Sequence, residues 1–189
     1  MKPLLRFKGV ALRRGGRLLF EDLDLKLGPG EALHLTGPNG SGKSSLIRLA
    51  AGLLRAEAGR VERAALALSD DALALDRELP LGKALKFWAR FGGATARLDQ
   101  AMEAMGLAKL ADVPVRLLSS GQAKRATLAR VAASAAHLWL LDEPTNGLDD
   151  DGVERLDAMI ARHRASGGAV LAASHAPIGG DWVRLELGQ

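Results

Sequence analysis

Gly37-Pro38-Asn39-Gly40-Ser41-Gly42-Lys43-Ser44 is a complete G-x-x-x-x-G-K-S phosphate loop. Its surroundings are those that such a loop needs. Ala32-Leu33-His34-Leu35-Thr36 ahead of it is short and apolar, which predicts a strand. Ser45-Leu46-Ile47-Arg48-Leu49-Ala50-Ala51 behind it predicts a helix, closed by Gly52. Glycines at this spacing let the backbone curl so that successive N–H groups point inward, with the helix N-terminus facing the same cavity. In that arrangement Gly37, Pro38, Asn39, Gly40, Ser41, Gly42 and Ser45 form the cradle, and Lys43 reaches the β- and γ-phosphates. The Ser44 hydroxyl is then placed to ligate Mg²⁺. The alternative, a glycine turn that binds nothing, does not account for the strand before and the helix after. The stretch predicts binding of a nucleoside triphosphate.

The 189 residues suit one domain with a substantial core. Hydrophobic residues make up 48% and charged residues 25%, the balance of a water-soluble globular fold. No run of about 18 uncharged apolar residues predicts a membrane span, and Met1-Lys2-Pro3-Leu4-Leu5-Arg6 lacks the apolar stretch of a secretory leader. The absence of cysteine excludes disulfides, thiolate nucleophiles and zinc–thiolate sites, and a cytosolic address fits it. The net charge of +4, from 26 basic and 22 acidic residues, suits an anionic ligand, an anionic membrane surface or nucleic acid alike. Arg13-Arg14 and Arg17, the densest basic group, read first as solvated surface.

Along the chain, residues 4–12 and 18–27 alternate apolar and polar positions around a glycine-containing turn, predicting strand, turn and strand. From Gly59 an extended segment is expected to run through Ala64 to Leu68. Pro80 opens a predicted helix with Leu81, Ala84, Leu85, Trp88 and Phe91 at helical spacing, ended by Gly92-Gly93. A second helix is expected from Leu98 to Leu107, with Leu98, Ala101, Met102 and Met105 on one face. Further helices are predicted over about 120–136 and 150–164, separated by the apolar strand Leu138-Trp139-Leu140-Leu141. Ala169-Val170-Leu171-Ala172-Ala173 reads as a buried strand, and 182–187 as a final edge strand. Such alternation implies an α/β fold around a mostly parallel sheet, with ligands at the carboxyl ends of the strands.

Strand 138–141 followed by Asp142 has the form of a Walker B segment, whose carboxylate can hold Mg²⁺ opposite Ser44. Glu143 comes next, placed to orient or deprotonate a water beside the γ-phosphate. Taken alone, Asp142-Glu143-Pro144 is equally a polar stop after a buried strand. Leu118-Ser119-Ser120-Gly121-Gln122 is a good helix cap by itself. In combination with the phosphate loop and the Walker B segment, it resembles the signature motif of ATP-binding cassette (ABC) ATPases.

That resemblance covers nearly the whole chain, and it implies the rest of the site. Ser119, Gly121 and Gln122 would face the γ-phosphate of a partner subunit, because two such subunits close head-to-tail around two ATP molecules. Thr145-Asn146-Gly147-Leu148-Asp149 resembles the D-loop, with Asp149 at the dimer interface. His175 resembles the switch histidine that touches the γ-phosphate, whereas His34, His137 and His163 match nothing in the pattern and read as structural. Glu143, His175 and Lys43 are the implied catalytic residues. The implied fold is a P-loop NTPase with a RecA-like core, an N-terminal antiparallel β subdomain and a helical subdomain at 80–135. Two departures stand out. Arg14 occupies the place of the aromatic residue that stacks on adenine, and a guanidinium plane can take that role. Asp70 and Asp71 stand where the Q-loop glutamine is expected, and Asp71 is a candidate Mg²⁺ ligand.

Within the family, residues 14–20, the loop leading into Leu49-Ala50-Ala51-Gly52-Leu53, the serine-rich signature and Arg14 are similar to the CcmA-type ATPase subunits of cytochrome c maturation, haem-export systems. This implies ATP hydrolysis coupled to haem handling, and integral membrane permease partners. It also implies a peripheral position on the cytoplasmic side of the inner membrane, with no nucleic acid as partner. Phe87 and Trp88 are either part of the docking groove or buried in the helical subdomain. The competing readings are the ATPase of another ABC exporter, or a soluble ABC ATPase acting on DNA or ribosomes. The second would bring a tandem cassette, a coiled-coil insert or a basic arm, and the sequence has none of these.

Overall fold

The computed structural model describes residues 2–70, 74–91 and 95–188, with Phe91 described by its backbone alone. Among the described residues, eight strands form two sheets. The first is antiparallel: β1 (Leu5–Arg14) lies between β2 (Arg17–Leu27) and β4 (Ala58–Arg63). Gly15 and Gly16, both at positive φ, make the two-residue turn that joins β1 to β2. The second sheet is parallel throughout. Its order is β5 (Leu66–Ser69), β6 (Leu138–Asp142), β7 (Ala169–Ala173), β3 (Ala32–Thr36), β8 (Val183–Glu186). All five residues of β6 and of β7 are buried, which is why these strands read as unbroken apolar runs.

Among the described residues, five α-helices cover the sheets: α1 (Lys43–Ala51), α2 (Leu81–Phe91), α3 (Leu98–Ala104), α4 (Ser120–Ala133) and α5 (Asp150–Ala165). Side chains alternate across β6, so Trp139 and Leu141 pack on one face while Leu138 and Leu140 pack on the other. The first face meets α2 to α5, and the second meets α1 and the antiparallel sheet. Because β3, β7 and β6 are neighbours, the loops that follow them emerge side by side at one edge. That edge is where an open parallel sheet holds its ligand.

The expected single extended segment from Gly59 to Leu68 is two strands in different sheets. β4 pairs antiparallel with β1, Val61 opposite Phe7, whereas β5 pairs parallel with β6, Leu68 opposite Leu140. A two-residue period records that a chain is extended and says nothing about which neighbour it joins. The helix expected to reach Leu107 stops at Ala104, with Met105 as its cap and Gly106 at φ 66, although Met105 and Leu107 remain fully buried. The helix expected to reach Ala136 stops at Ala133, where the Ser134 hydroxyl donates to the Val131 carbonyl at 2.7 Å. The expected glycine stop at 92–93 lies outside the described residues.

On α2, Leu81, Ala84 and Leu85 are buried as the spacing requires, while Phe87 is 54% and Trp88 38% exposed. The Trp88 indole N–H donates to the Ala74 carbonyl, and the Arg130 guanidinium lies 5.1 Å from its ring centre. Neither aromatic is buried between helices. Among the described residues, no helix is long and apolar enough to cross a membrane.

Candidate nucleotide-binding and hydrolytic site

At the carboxyl edge of the parallel sheet a cavity of about 530 Å³ opens between the two sheets. Its floor is the phosphate loop: Asn39, Gly40, Gly42, Lys43, Ser44 and Ser45. Arg14 and Leu19 form one wall from the antiparallel sheet, and Glu143, Asn146 and His175 form the other from the loops after β6 and β7. Gly37 opens the loop at φ 131, where a Cβ would run into the Leu187 carbonyl oxygen just past β8. Gly42 caps α1 at φ 105, a left-handed turn that delivers the helix N-terminus into the cavity. Pro38 and Ser41 complete the loop, Ser41 as a buried residue.

Lys43 is folded back over its own loop, its ammonium donating to the carbonyls of Gly37 at 2.8 Å and Pro38 at 3.0 Å. Ser44 Oγ donates to Asp142 Oδ1 at 3.0 Å, across 98 positions of sequence. This pair tests whether the site fits Mg²⁺. Two hard oxygen donors face each other at the end of a buried strand. Among the described residues, no group of three His, Cys, Asp or Glu side chains could hold a metal. Mg²⁺ takes one or two protein oxygens and fills the rest of its shell with water and substrate phosphates. The donor set therefore fits an ion that arrives with a phosphate ligand.

Glu143 has φ 46, a left-handed backbone that costs a Cβ-bearing residue roughly 1–2 kcal/mol. Its N–H donates to the Ala173 carbonyl at 2.8 Å, so the end of β7 enforces the turn. The carboxylate is thereby aimed at the loop after β7. Its Oε2 accepts from the His175 N–H at 3.4 Å, and Oε1 lies 3.6 Å from His175 Nε2. Arg14 Nη1 donates to Ser45 Oγ at 3.4 Å, which places the guanidinium at the cavity wall beside Leu19.

The other predicted residues stand away from this cavity. Ser119 and Gln122 form a reciprocal capping box on α4: Ser119 Oγ accepts from the Gln122 N–H at 3.2 Å, and Gln122 Oε1 accepts from the Ser119 N–H at 3.0 Å. Gly121 packs against the Gly147 carbonyl, where a Cβ would sit only 2.9 Å from the oxygen. Asp149 caps α5, accepting from the Gly152 N–H at 3.0 Å. Asp71 lies outside the described residues. Asp70 lies close enough to Arg130 that its charge supports the guanidinium's proton, against a larger opposite effect of burial. Arg130 also donates to the Leu68 carbonyl at 2.7 Å, so the end of β5 is tied to α4 through an arginine. Sequence reasoning missed Leu19 and the side chain of Asn146 as cavity walls. Leu19 carries no signal beyond strand alternation, and Asn146 lies within the stretch singled out as a D-loop.

Residues 20–146 match the model of the ABC transporter family. The cytochrome c biogenesis ATP-binding export protein CcmA of Sphingopyxis alaskensis is 59% identical over 93% of this chain and 91% of its own length. The chain belongs to the ABC transporter family, in its CcmA branch. Another CcmA, from Novosphingobium aromaticivorans, is 57% identical over 93% of this chain and 90% of its own length. Two solved structures show the same ABC fold. An ATP-binding subunit of an ABC transporter has a TM-score of 0.82 at 22% identity, over 91% of this chain and 79% of that one. The ADP conformation of an ATP-binding cassette of an ABC transporter has a TM-score of 0.76 at 19% identity, over 94% of this chain and 83% of that one.

Proposed function

We propose that this chain is the ATP-hydrolysing subunit of the ABC transporter complex of cytochrome c maturation, coupling ATP turnover to haem handling at the membrane. The observation that carries the hydrolytic reading is the convergence of Ser44 on Asp142 at 3.0 Å and of Glu143 on His175 at 3.6 Å around one phosphate-loop cavity. The loop amides and Lys43 bind the β- and γ-phosphates, Lys43 exchanging its two carbonyl partners for phosphate oxygens. Ser44 and Asp142 hold Mg²⁺, which when bound neutralises charge on the phosphates. Glu143 accepts a proton from water as the water oxygen bonds to the γ-phosphorus, and the bond to the bridging oxygen breaks with its electron pair leaving on ADP. His175 lies beside the same carboxylate and donates to the γ-phosphate. Arg14 stacks on the base.

Ser119, Gly121, Gln122 and Asp149 serve the nucleotide of a second subunit in a head-to-tail dimer, in keeping with their position outside this chain's own cavity. Integral permease subunits hold the complex on the cytoplasmic side of the inner membrane. The exposed Phe87 and the rim of Trp88 supply the apolar part of that contact. Replacing Glu143 by Gln tests the reading. ATP binding is expected to persist, turnover to fall at least about a hundredfold, and a dimer to accumulate in ATP and Mg²⁺. Turnover at the wild-type rate refutes the assignment of Glu143 as base.

A further inference from the structure

His34 matches no motif, yet it is buried on β3 and its ring reaches the loop that carries His175. The ladder between β3 and β7 ends with Leu35 opposite Ala173, so the next carbonyl, that of Ser174, lies beyond the sheet. His34 Nε2 is 3.0 Å from that carbonyl oxygen. A carbonyl only accepts, so Nε2 carries the proton and donates. The Trp182 ring stands edge-on to His34 at 6.0 Å, and the Trp182 indole N–H is held by the Gly179 carbonyl at 2.9 Å, which fixes the imidazole from its other side.

The Ser174 carbonyl and the His175 N–H belong to one peptide unit, which is planar. His34 therefore grips one edge of a plate whose other edge donates to Glu143 Oε2 at 3.4 Å. Ser174 is itself pinned. It is buried, its hydroxyl donates to the Ala176 carbonyl at 2.9 Å and accepts from the Ala176 N–H at 3.1 Å, and it lies 3.2 Å from Thr145 Oγ1. The bond from His34 adds a hold on the carbonyl edge of the 174–175 peptide.

We infer that His34 is a positioning residue for ATP hydrolysis: by holding the Ser174–His175 peptide plane, it sets His175 and the Glu143 carboxylate in register. It does not line the phosphate-loop cavity. The inference rests on the proposed roles of Glu143 and His175. Misplacing a reacting group by about an ångström can cost a hundredfold in rate, so a loosened peptide should show in turnover rather than in binding.

The test uses the full chain with His34 replaced by Gln, Asn or Phe, and His175→Ala measured alongside. The amide nitrogen of Gln reaches the place of Nε2, Asn falls short of it, and Phe keeps the contact with Trp182 without a donor. His34→Gln is expected to retain kcat within about threefold. His34→Asn and His34→Phe are expected to lose about tenfold or more, with KM for ATP and its dissociation constant within about twofold in all three. Gln and Asn share their polarity and differ by one methylene, and equal melting temperatures in the two exclude a folding defect as the source of a contrast in kcat. Equal kcat in Gln and Asn, or binding that weakens in step with turnover, overturns the positioning role. Full activity in His175→Ala refutes the role of His175, and the inference with it. Loss there beside full activity in His34→Asn refutes the inference alone.

Discussion

Glu143 holds a left-handed backbone, φ 46, with its N–H bonded to the end of β7. Replacing it by Gly and by Ala separates backbone strain from chemistry. Alanine keeps its Cβ and so keeps the cost, roughly 1–2 kcal/mol, whereas glycine removes it and gives back about 0.5–1 kcal/mol in backbone entropy. The net difference favours Gly by about 1 kcal/mol. For a chain of 189 residues, at about 2.1 cal/mol/K per residue, the unfolding entropy is roughly 400 cal/mol/K, so the glycine variant should melt about 2–3 °C above the alanine variant. Both variants should lose at least about a hundredfold in kcat, because both lack the carboxylate. Thermal unfolding without nucleotide and steady-state ATP hydrolysis read the two effects separately. A glycine variant that melts at or below the alanine variant refutes the claim that strain is stored at this residue.

Lys43→Ala should weaken ATP binding at least about a hundredfold, since the ammonium that now holds two loop carbonyls is the cation that meets the phosphates; near-normal affinity for a fluorescent ATP analogue contradicts the cradle. Arg14→Ala should weaken ATP binding several-fold with little change in melting temperature, and unchanged affinity removes the base-stacking role. Burial holds the His163 ring near pKa 4, below its ordinary 6.5, against smaller opposing effects of its contacts with the backbone at His137 and Ala169. Above pH 6.5 both folded and unfolded chains carry it neutral and it contributes no pH dependence. Between about 6.5 and 4 the unfolded chain takes up the proton first, so stability falls as the pH falls. The slope stays below about 1.4 kcal/mol per pH unit, the limit for a single proton. His163→Gln should flatten the melting temperature against pH over that interval relative to wild type, and an unchanged profile contradicts it.

The parts of the site legible in the sequence are those whose chemistry is local. A glycine-rich loop between an apolar strand and a helix, a carboxylate at the end of an apolar run and a serine at a helix start each carry their geometry in a few consecutive residues. Ser44 and Asp142 could be paired because one opens the helix after β3 and the other ends β6 in an alternating α/β plan. What stayed hidden depends on which strand lies beside which. Residues 59–68 look like one extended segment and are divided between two sheets. Leu19 reaches the cavity only because the antiparallel sheet folds over the phosphate loop, packing Leu19 and Phe20 against Gly42. His34 matches no motif and so reads as structural, and its bond to the Ser174 carbonyl spans 140 positions. The left-handed backbone of Glu143 comes from its bond to Ala173 and leaves no mark in the residue type.

The central claim is tested most directly by asking what the chain holds when ATP is bound and turnover is blocked. Tagged Glu143→Gln chain, expressed in its native cell, is extracted from gently solubilised membranes in ATP and Mg²⁺, and its companions are identified by mass spectrometry. The account predicts integral membrane proteins of a haem-handling complex, in stoichiometric amount and lost in the Lys43→Ala variant. Recovery of ribosomal proteins or nucleic acid with no membrane protein contradicts it.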